Sequence, residues 1–127
     1  MAIPHVAPGQ VIALRPLGPG FHEAQTVALF KSENLEVIRF VLRAGKSLPP
    51  HRVLGDTSIH CIEGTIAVSA YSREAILHAG ELIYLEGNAV HAVLAQEDSS
   101  ALVTIALVKD QSGSLAELTE RHSSGDA

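Results

Sequence analysis

Tryptophan is absent from this chain, and only 2 tyrosines and 3 phenylalanines occur among its 127 residues. Basic charge is scarce too: 9 Lys plus Arg stand against 14 Asp plus Glu, a formal net charge of -5. A chain poor in both cationic side chains and stacking rings lacks what nucleic-acid binders use. The one cysteine, Cys61, excludes an internal disulfide and a four-cysteine zinc site. No apolar run approaches the roughly 20 residues of a membrane span. The start, from Met1 to Gly9, has no basic region followed by an apolar stretch, so no signal peptide is expected. The chain therefore reads as cytoplasmic, with no membrane and no nucleic acid among its partners. Two common chemistries are missing as well. Gly-x-Ser-x-Gly does not occur, and Gly18-Pro-Gly20 has no lysine after it to make a phosphate loop.

What is present is apolar, punctuated and rich in histidine. Hydrophobic residues make up 46% of the chain, enough for the core of a single domain spanning 1–127. Residues 1–10, with Pro4, Pro8 and Gly9, read as a loose arm, and the core is expected over about residues 11–109. Turn signals recur at short intervals, among them Lys31–Asn34, Pro49-Pro50, Glu63-Gly64, Ala79-Gly80 and Glu86–Asn88. Between them lie short runs of Val, Ile, Leu and Ala. The expected strands are Val11–Arg15, Thr26–Lys31, Leu35–Arg43, Ser58–Ile62, Ile66–Tyr71, Ala75–His78, Leu82–Leu85, Val90–Gln96 and Ala101–Val108. Short strands at this spacing indicate an all-β sandwich or barrel rather than βαβ units. Ala101–Val108 is apolar except for Thr104, which suggests cover on both faces. Ser114 with Glu117 three residues on forms a capping box, so a short C-terminal helix to about His122 and a frayed tail complete the reading of 110–127.

Seven histidines invite the question of whether any converge. One segment runs Gly45, five residues, His51, then Val53, Thr57 and Gly64; a second runs Gly80, Glu86, Asn88, His91 and Ala95. In these two blocks the chain resembles the cupin family. The first cupin motif is glycine, five residues, His-x-His, three or four residues, Glu, six residues, glycine. The second is glycine, five residues, Pro-x-Gly, two residues, His, three residues, Asn. Gly45, His51 and Gly64 fall on the first spacing without gaps, and Gly80 and His91 on the second. The resemblance covers roughly Leu35 to Val108. It implies a double-stranded β-helix, the RmlC-like jelly-roll barrel, and a homodimer packed through the apolar faces of Thr26–Lys31 and Leu35–Val41.

The resemblance also implies a site that this sequence only half keeps. Cupins typically hold a divalent metal (Zn, Fe, Mn or Ni) with two histidines and a glutamate from the first motif and one histidine from the second. Here His51 and His91 stand at metal positions. Val53 replaces the second histidine, and Thr57 (or Ser58, on the longer spacing) replaces the glutamate. Glu86, Asn88 and Ala95 replace the proline, glycine and asparagine of the second motif. Asn88 tolerates the positive φ that the glycine supplies.

Residues two apart on a strand share a face, so His51 points one imidazole inward beside an apolar Val53. Two histidines fall short of the three ligands of a catalytic zinc or of a two-histidine, one-carboxylate iron site. Asp56, Cys61, Glu86 and His22 are the candidates for a third. His60 has the wrong parity, and His5, His78 and His122 read as surface or terminal residues. The expected cavity lining is Leu48, His51, Val53, Thr57, Ile59, Cys61, Tyr84, His91, Val93 and Ala95. Such a lining suits a small, partly apolar molecule with a polar or anionic end. Three functions remain open: a small-molecule-binding cupin without catalysis, a metal-dependent cupin enzyme of dioxygenase or isomerase type with a reduced ligand set, and a dimerising interaction module.

Overall fold

The computed structural model describes residues 5–108. Its nine strands are β1 (Val27–Lys31), β2 (Leu35–Leu42), β3 (Ser47–His51), β4 (Thr57–Glu63), β5 (Thr65–Ala70), β6 (Arg73–His78), β7 (Leu82–Leu85), β8 (His91–Ala95) and β9 (Ser99–Ala106). They form two antiparallel sheets, one in the order β1-β2-β9-β4-β7 and the other β3-β8-β5-β6. This is the expected all-β jelly-roll. The expected C-terminal helix after Ser114 lies outside the described residues.

Alternation explains how the strands bury one face. In β4, Thr57, Ile59 and Cys61 are buried while Ser58, His60 and Ile62 are half-buried. In β9, Ala101, Val103 and Ile105 are buried and Leu102, Thr104 and Ala106 are half-buried. This corrects the expectation that β9 is covered equally on both faces: its apolar outer residues are only partly sheltered. The inner faces meet in a core that includes Ile59, Cys61, Ile66, Val68, Leu77 and Leu85. Burial of this apolar surface is the main driving force for the fold.

Strand β3 was not foreseen, because Pro49 and Pro50 read as a turn. It survives as an edge strand, where a missing N–H need not interrupt a ladder. Both prolines are exposed, and the register to β8 shifts between Leu48 and His51. Conversely, Val11–Arg15 was expected as a strand and is not one. Val11 is 95% exposed, and the segment pairs with no strand.

That segment is held by side chains instead. The Leu17 amide donates to both oxygens of Glu63 (2.9 and 3.0 Å), and the Gly18 amide donates to Oε1 (3.3 Å). Arg39 Nη2 donates to the Arg15 carbonyl (2.6 Å) and lies 3.4 Å from Glu63 Oε2. The Ser100 hydroxyl donates to the same carboxylate oxygen. Burial alone would raise the Glu63 pKa. The hydrogen bonds from Ser100, Leu17 and Gly18, with the Arg39 charge, outweigh it and hold the carboxyl below its ordinary value. A short 3-10 turn, Gly18–Glu23, follows and buries Phe21.

Two turns carry special backbone. Gly64 has φ of +81°, and a Cβ there would sit 2.3 Å from the Asp98 carbonyl oxygen. Asn88 has φ of +68°, as expected for the residue replacing the motif's glycine, and its amide donates to the Val53 carbonyl at 2.8 Å.

Two outcomes follow. Gly64→Ala lowers the unfolding free energy by about 2 kcal/mol or more, from left-handed backbone strain plus the backbone clash; urea titration measures it. Glu63→Gln costs about 1–3 kcal/mol near neutral pH. The folded-state pKa of Glu63 is depressed, so its stabilisation is present above the unfolded carboxylate pKa and is lost as pH falls through the folded value. The gap between wild type and Glu63→Gln therefore closes as the titration is repeated down to about pH 3.

Candidate functional site

The pairing of β3 with β8 places His51 directly opposite His91. Their rings stand 4.4 Å apart between centroids, tilted by 57°. His91 is buried, 5% exposed, and His51 is half-buried. Each ring is oriented by a carbonyl two residues upstream: His51 Nδ1–H donates to Pro49 O at 2.9 Å, and His91 Nδ1–H donates to Ala89 O at 3.1 Å. A carbonyl only accepts, so each neutral imidazole carries its proton on Nδ1 and its lone pair on Nε2. That is the tautomer in which a histidine ligates through Nε2 with its other nitrogen held by a carbonyl.

The two imidazoles form part of the wall of an internal cavity of about 50 Å³. Leu48, Val53, Thr57, Ile59 and Val93 line it with them, all expected from the sequence. The other half of the lining was missed. It comes from the inner faces of β2 and β9, through Ile38, Phe40, Leu42, Ala101, Val103 and Ile105, with Ser99 and Ser100 at the start of β9. The two motif blocks do not span these strands, and because β2 and β9 carry apolar residues on both faces, the sequence pattern does not single out the inward ones.

Three expected lining residues are placed elsewhere. Tyr84 is 59% exposed on the outer face, because its neighbour Leu85 takes the inward position in β7. Burial of its surroundings and the nearby Asp56 and Glu86 charges raise the phenol pKa. Cys61 is fully buried in the core beside the cavity, with its Sγ directed to the Glu63 and Gly64 carbonyls at 3.4 and 3.6 Å. Burial pushes its thiol pKa up, the opposite of a reactive or ligating thiolate. Ala95 is buried at 1% exposure and does not reach the cavity wall.

The remaining third-ligand candidates are engaged elsewhere or exposed. Asp56 Oδ1 accepts the Gly87 amide at 2.9 Å. The Glu86 side chain is exposed. His22 is exposed and lies 3.8 Å from Asp98. His60 occupies the outer face of β4, half-buried, and His78 pairs with Glu81 at 3.1 Å on the surface. Among the described residues, no three His, Cys, Asp or Glu side chains come together as a metal-binding group. The donor set in place is two imidazoles, which is short of a catalytic zinc or non-haem iron site. The hydroxyl standing where the motif carries its carboxylate, Thr57 Oγ1, is buried and directed to the Gly55 carbonyl at 3.5 Å. No helix among the described residues is long and apolar enough to cross a membrane.

No family model and no curated protein matches the chain. Solved structures do. A conserved protein of unknown function from Streptococcus pyogenes aligns at 17% identity, covering 84% of this chain and 94% of its own, with a TM-score of 0.65. An RmlC-like cupin from Desulfovibrio desulfuricans aligns at 25% identity over 80% of this chain and 95% of its own, TM-score 0.59. A predicted oxalate decarboxylase from Thermotoga maritima aligns at 18% identity over 65% and 79%, TM-score 0.60. The two-sheet jelly-roll, the paired histidines at the motif positions and these neighbours agree: this chain is a small domain of the cupin fold.

Proposed function

We propose that this cupin binds a compact, partly apolar molecule in its inner cavity without catalysing a reaction. One observation carries the reading: His51 and His91 face each other in a cavity wall that is apolar apart from the hydroxyls of Thr57, Ser99 and Ser100, and no further metal-ligating side chain joins them among the described residues. With Nδ1–H held by a carbonyl, each imidazole offers its Nε2 lone pair to a hydrogen-bond donor at the polar end of a ligand, and the apolar lining accepts the rest. A cavity of about 50 Å³ holds only a few water-sized groups, which restricts the ligand to a few heavy atoms. The reading includes a homodimer, which light scattering at micromolar concentration tests against the chain mass of 13.4 kDa.

A second reading has an observation in its favour. Both rings are held in the tautomer that a metal-binding histidine adopts, and one structural neighbour is a predicted oxalate decarboxylase. In that reading His51 and His91 hold one divalent ion, Zn, Fe, Mn or Ni, which would supply Lewis-acid or redox chemistry. The pair would then need a further donor.

Metal analysis separates the two. In the favoured reading, tag-free protein carries no stoichiometric metal, and His51→Ala does not change its content. Stoichiometric metal that disappears in His51→Ala supports the enzyme and removes the metal-free reading. In parallel, 1-propanol serves as a small probe with one hydroxyl donor in an NMR titration. Saturable shifts at residues 48–59 and 91–93, weakened about tenfold by His91→Ala, are expected, a loss of about 1.4 kcal/mol. Shifts unaffected by that substitution would detach the histidines from ligand binding.

A further inference from the structure

Glu36 is the only buried carboxylate among the described residues, at 8% exposure. It alternates along β2 with Ile38, Phe40 and Leu42, on the face turned towards the other sheet. Its Oε1 is sealed from solvent and has no hydrogen-bond partner among the described residues. Glu63 gathers donors from two amides, a hydroxyl and a guanidinium; Glu36 gathers none. A sealed carboxylate oxygen that accepts no hydrogen bond is a net cost to the fold, and Oε2, which is not sealed, is the oxygen open to a donor from outside.

The surroundings show where that donor would enter. Between the β1–β2 edge of one sheet and β3 of the other, no ladder closes the barrel, and a cleft of about 710 Å³ lies there. That volume lies within the range of small-molecule sites. Glu36 lines it with Ala28, Ile38, Phe40, Leu42 and Leu48, the last four shared with the inner cavity wall. Arg43 and Lys46 line the cleft as well. Arg43 stands seven residues from Glu36 along an extended strand, about 23 Å at 3.3 Å per residue, so its cation does not neutralise the carboxylate. The cleft thus has an acidic apolar end, with an aromatic ring between that end and the basic residues.

We propose that this cleft binds an amphiphilic organic cation, an alkyl- or arylammonium. Its ammonium donates to Glu36, and its apolar body lies along Ala28, Ile38 and Phe40. The competing cation is Lys31, which stands on β1 directly opposite Glu36. Lys31 is exposed and makes no ion pair with Glu36.

The test is a ¹H–¹⁵N NMR titration with hexylammonium chloride, with hexanoate as the opposite-charge control. Saturable shifts at residues 28 and 36–42 with hexylammonium, and none with hexanoate, are expected. Glu36→Gln, nearly isosteric, weakens binding about tenfold or more. Glu36→Leu abolishes it while raising Tm, the signature of a polar group kept at the expense of stability. Lys31→Ala leaves binding unchanged or tightens it. The proposal is overturned if hexylammonium gives no saturable shifts, if hexanoate binds as well, or if Glu36→Gln binds like wild type. A fall in Tm in Lys31→Ala, with no hexylammonium binding in either protein, would assign Glu36 to Lys31 and remove the ligand site.

Discussion

The pairing of β3 with β8 is the constraint on which the site depends. β3 is an edge strand with two consecutive prolines, so it donates few backbone hydrogen bonds. Its register to β8 holds at Ser47 and Leu48, shifts across the prolines, and resumes at His51. A slip of one residue would turn every side chain to the other face. The irregularity at Pro49-Pro50 therefore decides that His51, and not a neighbour, stands opposite His91. The Pro49 carbonyl in turn fixes the His51 ring. Ala89 O does the same for His91 from the turn that Asn88 makes with its positive φ. Two local backbone irregularities thus aim two side chains that are forty residues apart in sequence.

A second set of contacts holds the other sheet. The 3-10 turn and the extended segment before it have no strand to pair with, so their amides and carbonyls need side-chain partners. Glu63 at the end of β4, Arg39 in β2 and Ser100 in β9 supply them. Three adjacent strands are thereby tied to one strap by charge-assisted hydrogen bonds, which are among the stronger ones available. The contrast with Glu36 is instructive. Both carboxylates sit in the same sheet, one surrounded by donors and the other among aliphatic side chains and a phenylalanine. Only the first explains its own burial by contacts within the fold.

Much of this is legible in the amino-acid sequence. Strand count and turn spacing imply the all-β class, and Gly45, His51, Gly64, Gly80 and His91 place the chain on the cupin spacing. Val53 and Thr57 at ligand positions announce a reduced donor set, and β4 keeps the parity that puts Thr57 and Ile59 on the cavity. Other features resisted reading for identifiable reasons. Two prolines look like a turn unless the strand is known to be an edge. Val11–Arg15 has strand-like composition, but whether a strand forms depends on a free sheet edge, a tertiary fact. Tyr84 is expected inward from the sequence, but Leu85 beside it takes the core position and turns the phenol outward. Glu36 looks like an ordinary surface charge in the pattern of β2, and only the packing of sheet against sheet exposes it as buried.

The replacements at the motif positions change the physics of the cavity as well as its ligand count. A second histidine in place of Val53 and a glutamate in place of Thr57 would line the site with groups that demand water or metal. Valine demands neither, and the threonine hydroxyl lies toward a carbonyl of its own chain. With Leu48, Ile59, Val93 and the inner residues of β2 and β9 around them, the remaining space is small and largely apolar. A small, largely apolar space with a few polar groups favours a compact guest that matches both. His51 and His91 then act in low-polarity surroundings, where a hydrogen bond to a ligand is stronger than it would be in water. The same substitutions that remove half of a metal shell thus sharpen what the two imidazoles can do for a small ligand with one polar end.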